Sequence, residues 1–219
     1  IDFDQATIDF SPDGRLMVTI GGETDTLAKV ERLTFADRTV VVVDQDGVAS
    51  DLPTIGAGVA ASAGIEGAVT VLVADGTYAE QVVIARGNLT LTGQSEAGTV
   101  IAAPTSLVTT GTDAANGRSI NALVTVLESK GVVVSNLTVD GESRANLITG
   151  TGTLDFVGIF YDRSSGEVSD VTVREIRDPL TAGGDVSGNQ HGIQLSSGAH
   201  GTISGNQILD IGYAGPAVT

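Results

Sequence analysis

The sequence predicts an all-β chain wound into a solenoid of stacked coils, and three observations carry that expectation. One unit is written three times between Leu123 and Ile211, with copies opening at Leu123, Val157 and His191. Val134, Val168 and Ile203 align in the copies, each followed by a serine (Ser135, Ser169, Ser204), at spacings of 34 and 35 residues. Within each copy a short apolar run, a Gly/Ser turn and a second alternating run follow one another, with no helical period. Glycine makes up 29 of 219 residues, about double the usual share of roughly 7%, which suits many tight turns. Leu137, Val171 and Asn206 fall on one column, and Val139, Val173 and Ile208 on another. Such columns become vertical ladders when coils stack about 4.8 Å apart. The alternative is a β-sandwich, which also gives short strands at regular spacing.

Residues 1–50 read as a separate β-rich segment. Ser11-Pro-Asp-Gly14 is a turn, with proline presetting φ and glycine closing it. Leu16, Val18 and Ile20 then alternate on one face of a strand, and Gly21-Gly22 turns the chain again. Val30–Phe35 and Thr39–Val43 supply two further strands, and the continuous valine run of the second predicts burial on both faces. The stretch Asp25-Thr-Leu-Ala-Lys-Val-Glu-Arg-Leu-Thr-Phe-Ala-Asp37 resembles segments beside the calcium-binding arrays of repeats-in-toxin secreted bacterial proteins. Gly21-Gly-Glu-Thr-Asp25 lacks the Gly and Asp spacing of the calcium-binding nonapeptide itself.

Residues 51–219 read as the solenoid. Thr54 can cap a helix within 52–67, Ile55 and Val59 sit at i,i+4, and Gly64 or Gly67 can end it. Its apolar face would cover the open end of a β-stack. Val69–Val73, Gln81–Ile84, Leu89–Leu91 and Val100-Ile101 are the strands of the first coils, with Asp75-Gly76 turning between them. Val71-Leu-Val-Ala-Asp-Gly-Thr-Tyr-Ala-Glu-Gln-Val-Val-Ile84 resembles the opening of right-handed parallel β-helix proteins of the pectate-lyase superfamily. That resemblance, covering residues 52–211, implies a right-handed parallel β-helix with the N-terminal β-rich segment and a short capping helix. Catalytic and non-catalytic members share the architecture, so it leaves activity open.

Composition narrows the partners. Net charge is −16 with 11 Lys+Arg, which disfavours nucleic acid and anionic membranes. Tryptophan and cysteine are absent, and no apolar run reaches membrane-spanning length. The chain opens at Ile1 without an initiator Met or signal peptide, and Ala214–Thr219 brings no closing cap. It therefore reads as a piece of a longer extracellular or bacterial cell-surface protein, truncated at its C-terminal end.

The long connections Gly93–Asn121, Gly141–Phe156 and Arg177–Gln190 are expected on one corner of the stack, where insertions commonly make a binding face. Lys130, Arg144, Arg163, Arg174 and Arg177, five of the eleven Lys+Arg, cluster nearby. Arg144, Arg163, Arg174 and Arg177 are the candidate binding residues. Alternation points Arg174 outward from a strand, suited to a carboxylate or sugar hydroxyl, or else paired with Asp170 or Glu175. Asp155, Asp162, Asp170 and Asp178 are candidate calcium ligands.

Leu137-Thr-Val-Asp-Gly141, Val171-Thr-Val-Arg-Glu-Ile176 with Asp178-Pro179, and Gln190-His-Gly-Ile193 resemble successive pieces of the catalytic module of mannuronan C-5 epimerases. The resemblance makes Asp178, His191 and Tyr161 the catalytic candidates. Of the family signature Tyr-Gly-Phe-Asp-Pro-His only Asp178-Pro179 is matched, and Leu180, which transfers no proton, replaces the histidine. Gly152-Thr-Leu-Asp-Phe-Val157 echoes the aspartate strand of pectin methylesterases, without their partner aspartate, glutamine pair and arginine motif. Two functions follow from this. One is a non-catalytic module, a rigid scaffold binding a polysaccharide or another surface protein, with self-assembly through its ends as a further expectation. The other is an epimerase or lyase acting on an acidic glycan, served by Ca2+.

Overall fold

The computed structural model describes residues 1–114, 116–145, 154–177 and 188–212. An antiparallel meander, β1 (Ala6–Phe10), β2 (Leu16–Ile20) and β3 (Glu23–Leu27), opens the chain. β4 (Arg32–Thr34) then pairs antiparallel with β5 (Arg38–Val43). β5 is buried on both faces, as its valine run demands. Val40 and Val42 pack towards Phe10, Leu16 and Ala49, whereas Val41 and Val43 enter the main core. The helix α1 (Ile55–Ala61) follows, capped by Thr54, whose hydroxyl accepts from the Ala57 amide at 3.1 Å. The Glu80 carboxylate accepts from the next free amides, Ile55 at 2.7 Å and Gly56 at 2.9 Å, satisfying donors that a helix start leaves open. Gly58 lets the helix lie directly on the stack, since a Cβ there would stand 2.3 Å from Val43 Cγ2.

The rest is a β-solenoid of about four turns, each turn carrying strands on three faces. The first coil has β6 (Ala68–Val73), β7 (Gly76–Ala79) and β8 (Val82–Ile84). The second has β9 (Leu89–Gly93), β10 (Thr99–Ala102) and, after the short β11 (Gly111–Asp113), β12 (Arg118–Leu127). β13 (Val132–Asp140) and β14 (Leu154–Asp162) make the third coil. β15 (Ser165–Arg174) and β16 (Gln190–Ser196) make the fourth, and β17 (His200–Ser204) and β18 (Gln207–Leu209) lie beyond it. β13 and β15 each cover two faces by bending at one left-handed residue, Asn136 with φ 53° and Asp170 with φ 54°. Gly205 occupies the same position between β17 and β18.

Coils pair in parallel, and the expected columns are the observed ones. Val134 sits against Val168 and Val168 against Ile203, while Val139, Val173 and Ile208 form a second column. The first column continues backwards through Leu91, Val71 and Val41. Parallel pairing between the copies excludes a sandwich, whose neighbouring strands would run mostly antiparallel. On the third face Ile84, Val126, Tyr161 and Leu195 line the inside. The molecule is thus a right-handed parallel β-helix with an N-terminal β-rich segment and a short capping helix.

Candidate functional site

One corner carries the bulk of the surface structure. The described parts of the three long connections leave between the second and third faces: 103–114 and 116–117 after β10, 141–145 after β13 and 175–177 after β15. Residues 93–98 behave differently from the expectation of one long loop. They turn from the first face to β10, and the true insertion begins only after Ala102.

That early turn makes one wall of a groove along the outside of the second face. Ser95 anchors it, its hydroxyl donating to Asp75 Oδ1 at 2.9 Å and its amide to the same oxygen at 3.1 Å. Glu96 then reaches across two coils. Its carbonyl accepts from Thr138 Oγ1 at 2.8 Å and its carboxylate from Thr172 Oγ1 at 2.6 Å. Thr138, Thr172 and Gln207 stand in register on adjacent strands and form the floor. Arg174 and Leu209 form the far wall, and the groove encloses about 320 Å³. Arg174 points outward as alternation requires, but its partner is Asp140, which accepts from Nε at 2.8 Å. The two lie on adjacent rungs, Asp140 opposite Arg174 and Arg174 opposite Leu209.

The other three candidate arginines are tied to the scaffold. Arg144 donates to the Ala103 carbonyl at 2.5 Å and pairs with Glu142. Arg177 donates to Glu175 at 2.8 Å and to the Ser143 hydroxyl at 3.1 Å. The Ser143 hydroxyl, with Arg177 beside it, holds the Glu175 carboxyl below the usual glutamate range. Arg144, Arg174 and Arg177 therefore gather at the insertion corner, and Arg163 does not. It sits where the third face returns to the first, bonded to Glu128 at 2.7 Å and Asp162 at 2.9 Å.

Tyr161 and His191, the catalytic candidates among the described residues, do not form an acid–base pair. Tyr161 is 2% exposed and points into the coil, where its hydroxyl donates to the carbonyls of Val132 and Glu167. Burial pushes its phenol well above the ordinary value. His191 lies in register with Val157, which belongs to a separate cluster with Ile120, Ala122 and Phe160. The two side chains are thus on opposite sides of one sheet, with no place for a sugar between them. Asp178 falls outside the described residues.

The three candidate calcium ligands among the described residues, Asp155, Asp162 and Asp170, are likewise dispersed. Asp155, 1% exposed, accepts from Arg118 Nε at 2.8 Å and from the Asn189 amide at 2.8 Å. Asp162 lies at the far end of the same strand, and Asp170 occupies the left-handed bend. Among the described residues no three His, Asp or Glu side chains come together around a metal-sized space.

The floor of the groove has a readable signal, because Thr138, Thr172 and Gln207 are the outward residues of three aligned runs. Glu96 carries none, since it meets Thr172 across 76 positions of sequence.

The groove lies on the outside of a parallel β-helix. No protein-family model and no curated protein matches the chain. Solved structures with a similar fold include a pectin methylesterase in complex with hexasaccharide VII. It is 18% identical, with a TM-score of 0.41, over 81% of this chain and 67% of that one. The pectin methylesterase PemA from Erwinia chrysanthemi is 17% identical, with a TM-score of 0.37, over 72% of this chain and 60% of that one. The likeness is one of architecture.

Proposed function

We propose that the chain is a non-catalytic glycan-binding β-helix module of a larger secreted or bacterial cell-surface protein. The supporting observation is the second-face groove. Thr138, Thr172 and Gln207 repeat a polar group on successive rungs about 4.8 Å apart, beside Arg174 fixed by Asp140. A polymer lying along the stack axis would meet hydroxyl oxygens as acceptors at Thr138 and Thr172, whose protons are held by Glu96, and an amide at Gln207. Carboxylates from Glu96 and Asp140 border the groove, and the chain carries −16 overall. A hydroxyl-rich neutral polysaccharide therefore suits it better than a polyuronate. The secreted origin rests on the resemblance of Asp25–Asp37 to repeats-in-toxin segments.

Binding should be measured by calorimetry against a panel of neutral and uronate polysaccharides. Arg174→Ala combined with Gln207→Ala is expected to weaken binding to the neutral ligand about tenfold, the loss of one or two net hydrogen bonds. Binding unchanged by the pair would remove the groove from the proposal. Turnover of alginate or pectate in calcium buffer would replace the module reading with that of an epimerase or lyase.

A further inference from the structure

A second polar site lies on the outside of the third face, under the insertion that carries β11. The insertion folds back over the sheet, so that a Cβ on Gly111 would stand 3.2 Å from the Phe160 ring. Two residues further on, Asp113 reaches β16. Its carboxylate accepts from the Ser196 hydroxyl, from Asn116 Nδ2 at 2.8 Å and from Gln194 Nε2 at 3.4 Å. Ser196 is in register with Asp162 on the adjacent strand, and Tyr161 pointing inward places Asp162 on the same outer side. Asp113 and Asp162 thus flank one serine, 4% and 1% exposed.

Among the described residues, two of the buried side-chain oxygens without a hydrogen-bond partner lie on this face, Asp162 Oδ1 and Gln194 Oε1. A buried carboxylate oxygen with nothing to accept from is costly, of the order of 1–3 kcal/mol or more. Arg163 covers only the other oxygen, Asp162 Oδ2, and shares its charge with Glu128. Asp162 Oδ1, Gln194 Oε1, Ser196 Oγ and the Asp113 carboxylate are all oxygen ligands.

We propose that Asp113, Asp162, Gln194 and Ser196 bind a calcium ion that ties the insertion to the fourth coil. All-oxygen ligation selects a hard cation, and a mixed set of carboxylate, amide and hydroxyl fits calcium's tolerant geometry better than magnesium's strict octahedron. Two carboxylates are few, so the affinity belongs with extracellular modules, about 10⁻⁴–10⁻³ M. The ion links two segments more than 80 residues apart (Asp113 and Ser196 are separated by 83), so its effect is on stability and not on the groove.

The test uses metal-free protein titrated with CaCl2 by calorimetry, and thermal unfolding in about 10 mM CaCl2 or MgCl2. One calcium site and a rise in Tm of about 3–6 °C with calcium are expected, with little change in magnesium. Asp162→Asn should abolish both the heat and the shift. Absence of a calcium-specific shift in the unaltered protein overturns the proposal, as does a shift that Asp162→Asn retains. If that variant fails to fold, the calcium–magnesium contrast in the unaltered protein decides. Glycan binding can fail or succeed independently of every one of these results.

Discussion

Val168→Asp is expected to abolish folding of the coils. Val168 is 2% exposed and lies in a column between Val134 and Ile203. Aspartate there would place a carboxylate among Val134, Tyr161 and Leu195. Burying an unpaired charge costs several kcal/mol at least, against a total stability of about 5–15 kcal/mol for an ordinary domain. The position has no easy escape, because both neighbouring strands fix its register and a one-residue slip would expose the whole inward set. Circular dichroism and a urea melt are the measurements. A folded Val168→Asp protein with an unchanged midpoint would mean that the column is not the core.

The second large effect is expected at Arg118 and Asp155. Arg118 Nε donates to both Asp155 oxygens, at 2.9 and 2.8 Å, and its Nη2 closes the fork. The carboxylate side is 2% exposed and the guanidinium side 23%. Arg118→Met therefore strands a buried carboxylate, at a cost of about 3–5 kcal/mol. Replacing both, as Arg118→Met with Asp155→Leu, should recover most of that loss, since an apolar pair needs no desolvation. Recovery will fall short by about 1 kcal/mol, because the Asn189 amide loses its acceptor. Chemical denaturation of the two variants checks this. Equal stability of single and double variants would show that solvent reaches the pair.

These two sites differ in how far the sequence reveals them. Val134, Val168 and Ile203 were visible because an inward column repeats one residue class at one interval, and stacking has no other way to bury it. Arg118 and Asp155 are also one rung apart, but a charged pair leaves no periodic trace. Gly152-Thr-Leu-Asp-Phe-Val157 marked the aspartate only by its likeness to another family. Tyr161 illustrates a different obstacle. Leu123 and Val124 both enter the main core, and so do Phe156 and Ile159 around Gly158. Simple alternation breaks at such a corner, and the side of every later residue has to be counted from it. The arginines failed as one cluster for a topological reason, since Arg163 and Arg174 lie at opposite ends of β15. Of the groove, the floor followed from alternation, and Glu96 needed the three-dimensional path of the 94–98 turn.

The single-residue bends at Asn136, Asp170 and Gly205 have a consequence for how the molecule tolerates changes in chain length. Between Val132 and Asp140 there is no slack, because one left-handed residue spends the entire turn. Deleting a residue there would invert the alternation of everything up to the next corner and bring Thr138 inside in exchange for Val139. After Asp140 the rule reverses. Backbone bonds to the next coil continue to Ala145, and the chain is again in register from Leu154, so residues added or removed between those points leave the rungs where they were. The third and fourth coils are therefore rigid in length on one arc and elastic on the other, whereas the second coil admits the 94–98 turn on the first arc as well. The outline of the molecule can be rewritten at that one corner without redrawing its interior.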